Sequence, residues 1–169
     1  NLTIQGPGAG LAAVSGNNAV TVFTIPFGYS ASISGLTIRN GHGGNSGGGI
    51  DNAGTLTLAN CQLWLNSANT GGGLRAHGGA VSISGCNFLG NTAFTGYGGG
   101  LYTSGPLAVS NSTFAGNTAH AGGGGLYVNA SGSLTVANST VAVNTTPGYG
   151  GGIYNYNGPL NLGSSIVSG

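Results

Sequence analysis

Residues 98–122 have the sequence GGGLYTSGPLAVSNSTFAGNTAHAG, and this pattern recurs along the chain. A run of glycines ends on one aliphatic residue about every 25 residues, at Ile50, Leu74, Leu101, Leu126 and Ile153. A unit of this length cannot bury an apolar face alone, so it must stack on copies of itself. The repeat therefore predicts a solenoid.

Each repeat also carries alternating apolar residues, such as Leu107 and Val109. Alternation with a period of two in short segments is typical of β-strands. We expect about three short strands per turn, about 25 residues per turn and six to seven turns. One all-β domain then spans residues 1–169, with irregular first turns in 1–46 and regular glycine-led turns in 47–169.

Charge is nearly absent, since Arg39, Arg75 and Asp51 are the only formally charged side chains and the net charge is +1. Without basic clusters the chain has no electrostatic footprint for nucleic acid or anionic lipid. No apolar stretch approaches the roughly 20 residues of a transmembrane helix, so membrane insertion is not expected. The absence of Lys and Met, with abundant Thr, Ser and Asn, favours an extracellular or cell-surface location.

Superposing the repeats places equivalent residues in columns. One column is a predicted ladder of side-chain amides, which hydrogen-bond between turns about 4.8 Å apart; it contains Asn66, Asn91, Asn117 and Asn144. Cys61 and Cys86 share another column on consecutive turns. Two interpretations stay open for this pair, namely a disulfide or two stacked thiols that fill the slot taken by Ser in later turns.

Two further columns point outward and are candidate surfaces. The first contains Asp51, Arg75, Tyr102, Tyr127 and Tyr154. Its charged residues form either a polar site in a groove or a surface ion pair. Two interpretations stay open for its tyrosines: they are exposed and contact a glycan or a partner protein, or they stack on one another and seal a groove. The second column, Arg39, Trp64 and Leu89, is a candidate partner patch.

Residues 98–122 and the matching stretch GGGLYVNASGSLTVANSTVAVNT, residues 123–145, resemble repeats of bacterial surface proteins. The similar proteins are right-handed parallel β-helices of the polymorphic outer-membrane-protein and autotransporter-adhesin type. This resemblance implies a single-stranded right-handed parallel β-helix, and the handedness agrees with the rule for parallel crossovers. Such repeats occur in adhesins, sheath proteins and carbohydrate-active enzymes alike, so the resemblance concerns the fold more than the function.

The sequence offers little for catalysis. Glycoside hydrolysis ordinarily uses two carboxylates, and this chain has one acidic side chain, Asp51. His42, His77 and His120 fall at different offsets in their turns, which predicts isolated surface histidines and no zinc site. We therefore expect no enzyme activity, no catalytic or metal-binding residues and no cofactor.

These observations predict a non-enzymatic extracellular β-helix with a structural or adhesive role. No polar cap is visible at either end, so we expect the chain to continue into a longer β-helix or to stack head to tail on further copies as a filament. The alternative is a glycan-binding surface module that uses the tyrosine column with Asp51 and Arg75.

Overall fold

A computed structural model of the protein describes residues 1–168. Within this range the chain forms 23 β-strands and no helix, so it contains no candidate transmembrane helix. The strands pair in parallel, each with the equivalent strand one turn away, as in Leu74 with Leu101 and Leu101 with Leu126. The result is the predicted parallel solenoid, with six complete turns and part of a seventh.

Three long sheets run along the solenoid. The first sheet contains Leu2–Gln5, Ser30–Ser34, Thr55–Ala59, Val81–Ser84, Pro106–Ser110, Ser133–Ala137 and Leu160–Gly163. The second sheet contains Ala13–Ser15, Thr37–Arg39, Gln62–Trp64, Asn87–Leu89, Thr113–Ala115, Thr140–Ala142 and Ile166–Val167. The third sheet contains Phe23–Ile25, Ile50–Asn52, Leu74–Ala76, Leu101–Thr103, Leu126–Val128 and Ile153–Asn155.

A fourth, short sheet was not predicted. It lies between the second and third sheets and contains Ser67–Ala68, Thr92–Ala93 and Thr118–Ala119. Two residues are too few for an alternating pattern to appear in the sequence. Each of these strands directly follows an asparagine of the amide ladder, which fixes the backbone at that point.

The first turn is more regular than the sequence suggests. Leu2 pairs with Ala31 in the first sheet, and Val14 pairs with Ile38 in the second. In the third sheet Phe23 pairs with Ile50. The expected irregularity of residues 1–46 is therefore confined to the loops, which vary in length while the strands keep their register.

The core is a stack of inward-facing columns. Leu56 and Leu58 of the first sheet are fully buried, as is Leu63 of the second. Phe88 and Phe114, on consecutive turns, stack with ring centroids 4.4 Å apart and an interplanar angle of 9°. Full burial of one such side chain contributes about 1.5–3 kcal/mol. This contribution is concentrated in the inner turns, because Leu2 of the first turn and Leu160 and Leu162 of the last are exposed.

A left-handed backbone recurs at two corners of the turns and also at the start of the glycine run, where Gly71, Gly98, Gly123 and Gly150 have positive φ. The corner between the first and second sheets has positive φ at Gly35, Asn60, Gly85, Asn111, Asn138 and Ser164, which are mostly the two residue types that tolerate it. The corner after the second sheet has Asn40, Gly90 and Gly116, but also Leu65 at φ 52° and Val143 at φ 56°. Both exceptions are exposed, so their side chains gain little packing in return for the strain.

The asparagine column forms the interior ladder. The Asn117 Nδ2 group donates to Asn144 Oδ1 at 2.8 Å, and Asn91 Nδ2 donates to Asn117 Oδ1 at 3.0 Å. The Oδ1 of Asn91, Asn117 and Asn144 also accepts the backbone N–H of the previous asparagine, as in Asn91 N–H to Asn117 Oδ1 at 2.9 Å, whereas Asn66 Oδ1 accepts the Gly41 N–H. These amides satisfy backbone groups that would otherwise be buried without a partner.

The column with the cysteines is a second ladder. Cys61 and Cys86 are buried free thiols, so the structure contains the stacked-thiol alternative and not the disulfide. The Cys61 N–H donates to Cys86 Sγ at 3.4 Å, and the Cys86 N–H donates to Ser112 Oγ at 3.0 Å. Small hydroxyl and thiol side chains recur here because Cys86, Ser112, Ser139 and Ser165 each accept a backbone N–H from the turn before. The hydrogen bond between the two thiols and burial raise the pKa of Cys86.

Candidate functional site

The outer face of the third sheet brings the first predicted column together. Asp51 is paired with Arg75, and Arg75 with Tyr102, on neighbouring strands. Tyr102 is paired in turn with Tyr127, and Tyr127 with Tyr154. The five residues thus follow one line parallel to the axis of the solenoid, because parallel strands in register keep equivalent side chains on the same face.

Asp51 makes further contacts besides its ion pair with Arg75. Its Oδ1 lies 3.5 Å from Arg75 Nη1 and accepts the Gly47 N–H at 2.9 Å. Its Oδ2 lies 3.4 Å from His77 Nε2, and the Asp51 side chain is only 13% exposed. The carboxylate therefore holds the glycine loop of its own turn as well as two side chains of the next turn.

The three histidines lie apart at the surface, and two of them have one polar neighbour each. His77 Nε2 lies 3.4 Å from Asp51 Oδ2, and His42 Nδ1 lies 3.1 Å from Ser67 Oγ. His120 is exposed. Within residues 1–168 there is no group of three or more His, Cys, Asp or Glu that could hold a metal ion.

The tyrosines form a packed cluster instead of a row of separate exposed rings. Tyr127 is 5% exposed, so for this ring the structure contains the mutual-stacking alternative and not a surface open to a ligand. Tyr97 and Tyr102 stack on it with centroids 4.3 and 5.3 Å away, and Tyr154 meets it edge-on at 5.4 Å. Burial and the neighbouring phenols raise the pKa of Tyr127 to about 12.

Sequence reasoning missed Tyr97 and Tyr149, although a signal for them exists. Both directly precede a glycine run, four residues before the anchors Leu101 and Ile153. Single bridges pair Tyr97 with Gly122 and Gly122 with Tyr149, so the position before the glycine run is itself a column. Gly122 has to be small, because a Cβ there would lie 2.7 Å from the Tyr154 ring.

A polar cleft with a volume of about 380 Å³ lies at one end of this cluster. Six residues line it, namely Asn45, Asn69, Thr70, Arg75, Tyr97 and Tyr102. Thr70 occupies the position that Tyr97 has in the next turn, and its smaller side chain leaves room for the cleft. The volume falls within the range of sites for small molecules.

The polar groups of the cleft hold one another in place. Arg75 Nη1 donates to the backbone carbonyl of Asn45 at 3.0 Å, and Asn69 Nδ2 donates to Asn45 Oδ1 at 2.8 Å. On the far side of the tyrosines, Asn129 Nδ2 donates to the Tyr102 hydroxyl at 3.2 Å. The arrangement offers amides, a hydroxyl and a guanidinium beside two aromatic rings. A ligand with several hydroxyl groups and an apolar face complements such a surface.

The second predicted column lies on a different sheet and does not contribute to the cleft. Arg39 is paired with Trp64, and Trp64 with Leu89, on the outer face of the second sheet. Trp64 is 38% exposed and the neighbouring Leu65 is 47% exposed. The Nε of Arg39 is buried and has no hydrogen-bond partner within residues 1–168.

Comparison with known proteins supports the fold. No curated protein sequence and no solved structure matches the chain. A family model described as the right-handed beta helix region matches residues 1–161, nearly the whole chain. The parallel sheets, the interior asparagine ladder and this match lead to one conclusion: the chain belongs to the right-handed β-helix family.

Proposed function

We propose that this β-helix is a non-catalytic adhesive protein of the extracellular surface that binds a glycan in the cleft beside Tyr97 and Tyr102. The observation that carries the proposal is the combination of two aromatic rings with polar side chains in one preformed cleft. The composition and the resemblance to bacterial surface proteins support the extracellular location.

The chemistry of the cleft favours a carbohydrate. Sugar hydroxyls both donate and accept hydrogen bonds, as do the amide groups of Asn45 and Asn69 and the hydroxyl of Thr70. Tyr97 is 36% exposed and offers an aromatic surface to the apolar face of a sugar ring. Binding without hydrolysis is the simpler role, because the one acidic side chain, Asp51, has no second carboxylate to act with.

The proposal is tested by measuring binding of the full chain to a panel of oligosaccharides by calorimetry. Tyr97→Ala and Asn69→Ala should each weaken binding about five- to tenfold, since each removes an aromatic contact or a hydrogen bond worth roughly 1 kcal/mol. Tyr29→Ala is the matched control, because Tyr29 is exposed but lies outside the cleft. Failure of the wild-type chain to bind any member of the panel, or equal binding by all three variants, would refute the proposal.

End-to-end association of chains into a filament stays a separate prediction, supported by the very low charge. Electron microscopy of the purified chain tests it. Filaments that lengthen with protein concentration would support it, and single short rods at all concentrations would contradict it.

A further inference from the structure

We propose that the cleft selects neutral glycans and discriminates against glycans that carry carboxylates, such as those built from uronic or sialic acids. This inference rests on the proposed glycan binding and adds the chemical class of the ligand. It follows from the way in which the charges at the cleft are already paired.

Among residues 1–168, Arg75 is the only cationic side chain that lines the cleft. Its Nη1 lies 3.5 Å from Asp51 Oδ1 and donates a hydrogen bond to the Asn45 carbonyl. One positive and one negative charge leave the site without net charge, and Arg75 Nη1 is already engaged by Asp51 and by the Asn45 carbonyl. The chain has no Lys, and its second Arg, Arg39, lies on another sheet.

We expect the cleft to bind an acidic sugar with lower affinity than a neutral one. Its carboxylate would lose hydration on entering the cleft and would meet the Asp51 carboxylate behind Arg75. His77 lies on the other oxygen of Asp51 and is therefore also engaged with that carboxylate. Rejection of a wrong ligand by an unpaired or repelled charge is a common source of specificity.

A neutral sugar has no carboxylate to lose hydration or to be repelled by Asp51. Its hydroxyls can bond to Asn69 and Thr70, and its ring can lie against Tyr97 or Tyr102. Contacts of this kind are insensitive to salt, whereas binding of an anion by Arg75 would weaken as the ionic strength rises. The effect of ligand charge on the affinity and the effect of salt on the affinity are therefore two independent measures of whether Arg75 binds an anion.

The test compares glucose- and galactose-based tetrasaccharides with the glucuronic and galacturonic acid tetrasaccharides that differ from them only at C6. The wild-type chain should bind the neutral member of a pair more tightly, with an affinity that changes less than about twofold between 0.05 and 0.5 M NaCl. Asp51→Asn keeps the acceptor for the Gly47 N–H and removes the charge. It should raise the affinity for the acidic member about fivefold, the amount that corresponds to one partly exposed ion pair.

Tighter, salt-sensitive binding of the acidic member by the wild-type chain would overturn this inference and leave the proposed glycan binding intact. Absence of binding to both members would overturn both proposals. Thermal unfolding of Asp51→Asn serves as the control for folding. If the variant does not fold, the wild-type preference and its salt dependence decide the question by themselves.

Discussion

Replacement of Asn117 by alanine tests whether the interior amides hold the solenoid together. The Asn117 side chain accepts from the Asn91 N–H at 2.9 Å and from Asn91 Nδ2 at 3.0 Å. It also donates to the Phe88 carbonyl at 2.9 Å and to Asn144 Oδ1 at 2.8 Å. Alanine can make none of these four hydrogen bonds.

The expected cost follows from the groups left behind. The Asn91 N–H and one hydrogen of its amide become buried donors without an acceptor, while Asn144 Oδ1 keeps the Asn117 backbone N–H. Each unsatisfied buried group costs about 1–3 kcal/mol, so the variant should lose about 2–6 kcal/mol of unfolding free energy. For a chain of this size the midpoint of thermal unfolding should fall by roughly 2–4 °C for each kcal/mol lost.

Circular dichroism during heating and denaturant titration measures the effect. Asn87→Ala is the matched control, because Asn87 is an exposed strand residue of the neighbouring sheet, and it should stay within about 0.5 kcal/mol of the wild type. Hydrogen exchange should speed up first at the backbone amides of the turns on either side of Asn117. A loss below about 1 kcal/mol for Asn117→Ala would show that the ladder is not a main source of stability.

Three further predictions concern single positions. Val143→Asn, made in a host that does not glycosylate, should raise the midpoint of thermal unfolding by about 2–4 °C, because Asn tolerates the φ of 56° that strains valine; a lower midpoint would contradict the assigned strain. The pKa of Tyr127, raised to about 12 from its ordinary 10, favours the protonated phenol in the folded state. The contribution of Tyr127 to the free energy of unfolding is therefore fully present below pH 10 and should fall by roughly 2–3 kcal/mol as the pH rises from 10 to 12. Denaturant titration of Tyr127→Phe should not show this loss. Cys86→Ser should stay within about 1 kcal/mol of the wild type in the same titration, because serine fills this slot at Ser112, whereas Cys86→Val should cost about 1–3 kcal/mol by leaving the Cys61 N–H without an acceptor.

The candidate site was only partly accessible from the sequence. The alignment of turns placed Asp51, Arg75 and Tyr102 in one column, and the register of the third sheet agrees. It did not show that Tyr127 is covered, because the covering ring comes from Tyr97, on a loop column that the alignment did not include. It also did not show His77 beside Asp51, since that contact joins different columns of neighbouring turns.

The repeat, the inward columns and the asparagine ladder could be predicted from the amino-acid order, because each turn of a solenoid repeats one local pattern and neighbouring turns place equivalent residues together. The contacts between outward side chains became visible in the folded chain alone. The cleft exists because Thr70 is small where the next turn has Tyr97, and Asn45 reaches Arg75 from a loop of the preceding turn. Such contacts depend on the size of each side chain and on the course of the loops between columns. A repeat pattern predicts which residues share a column, and it does not predict contacts between columns.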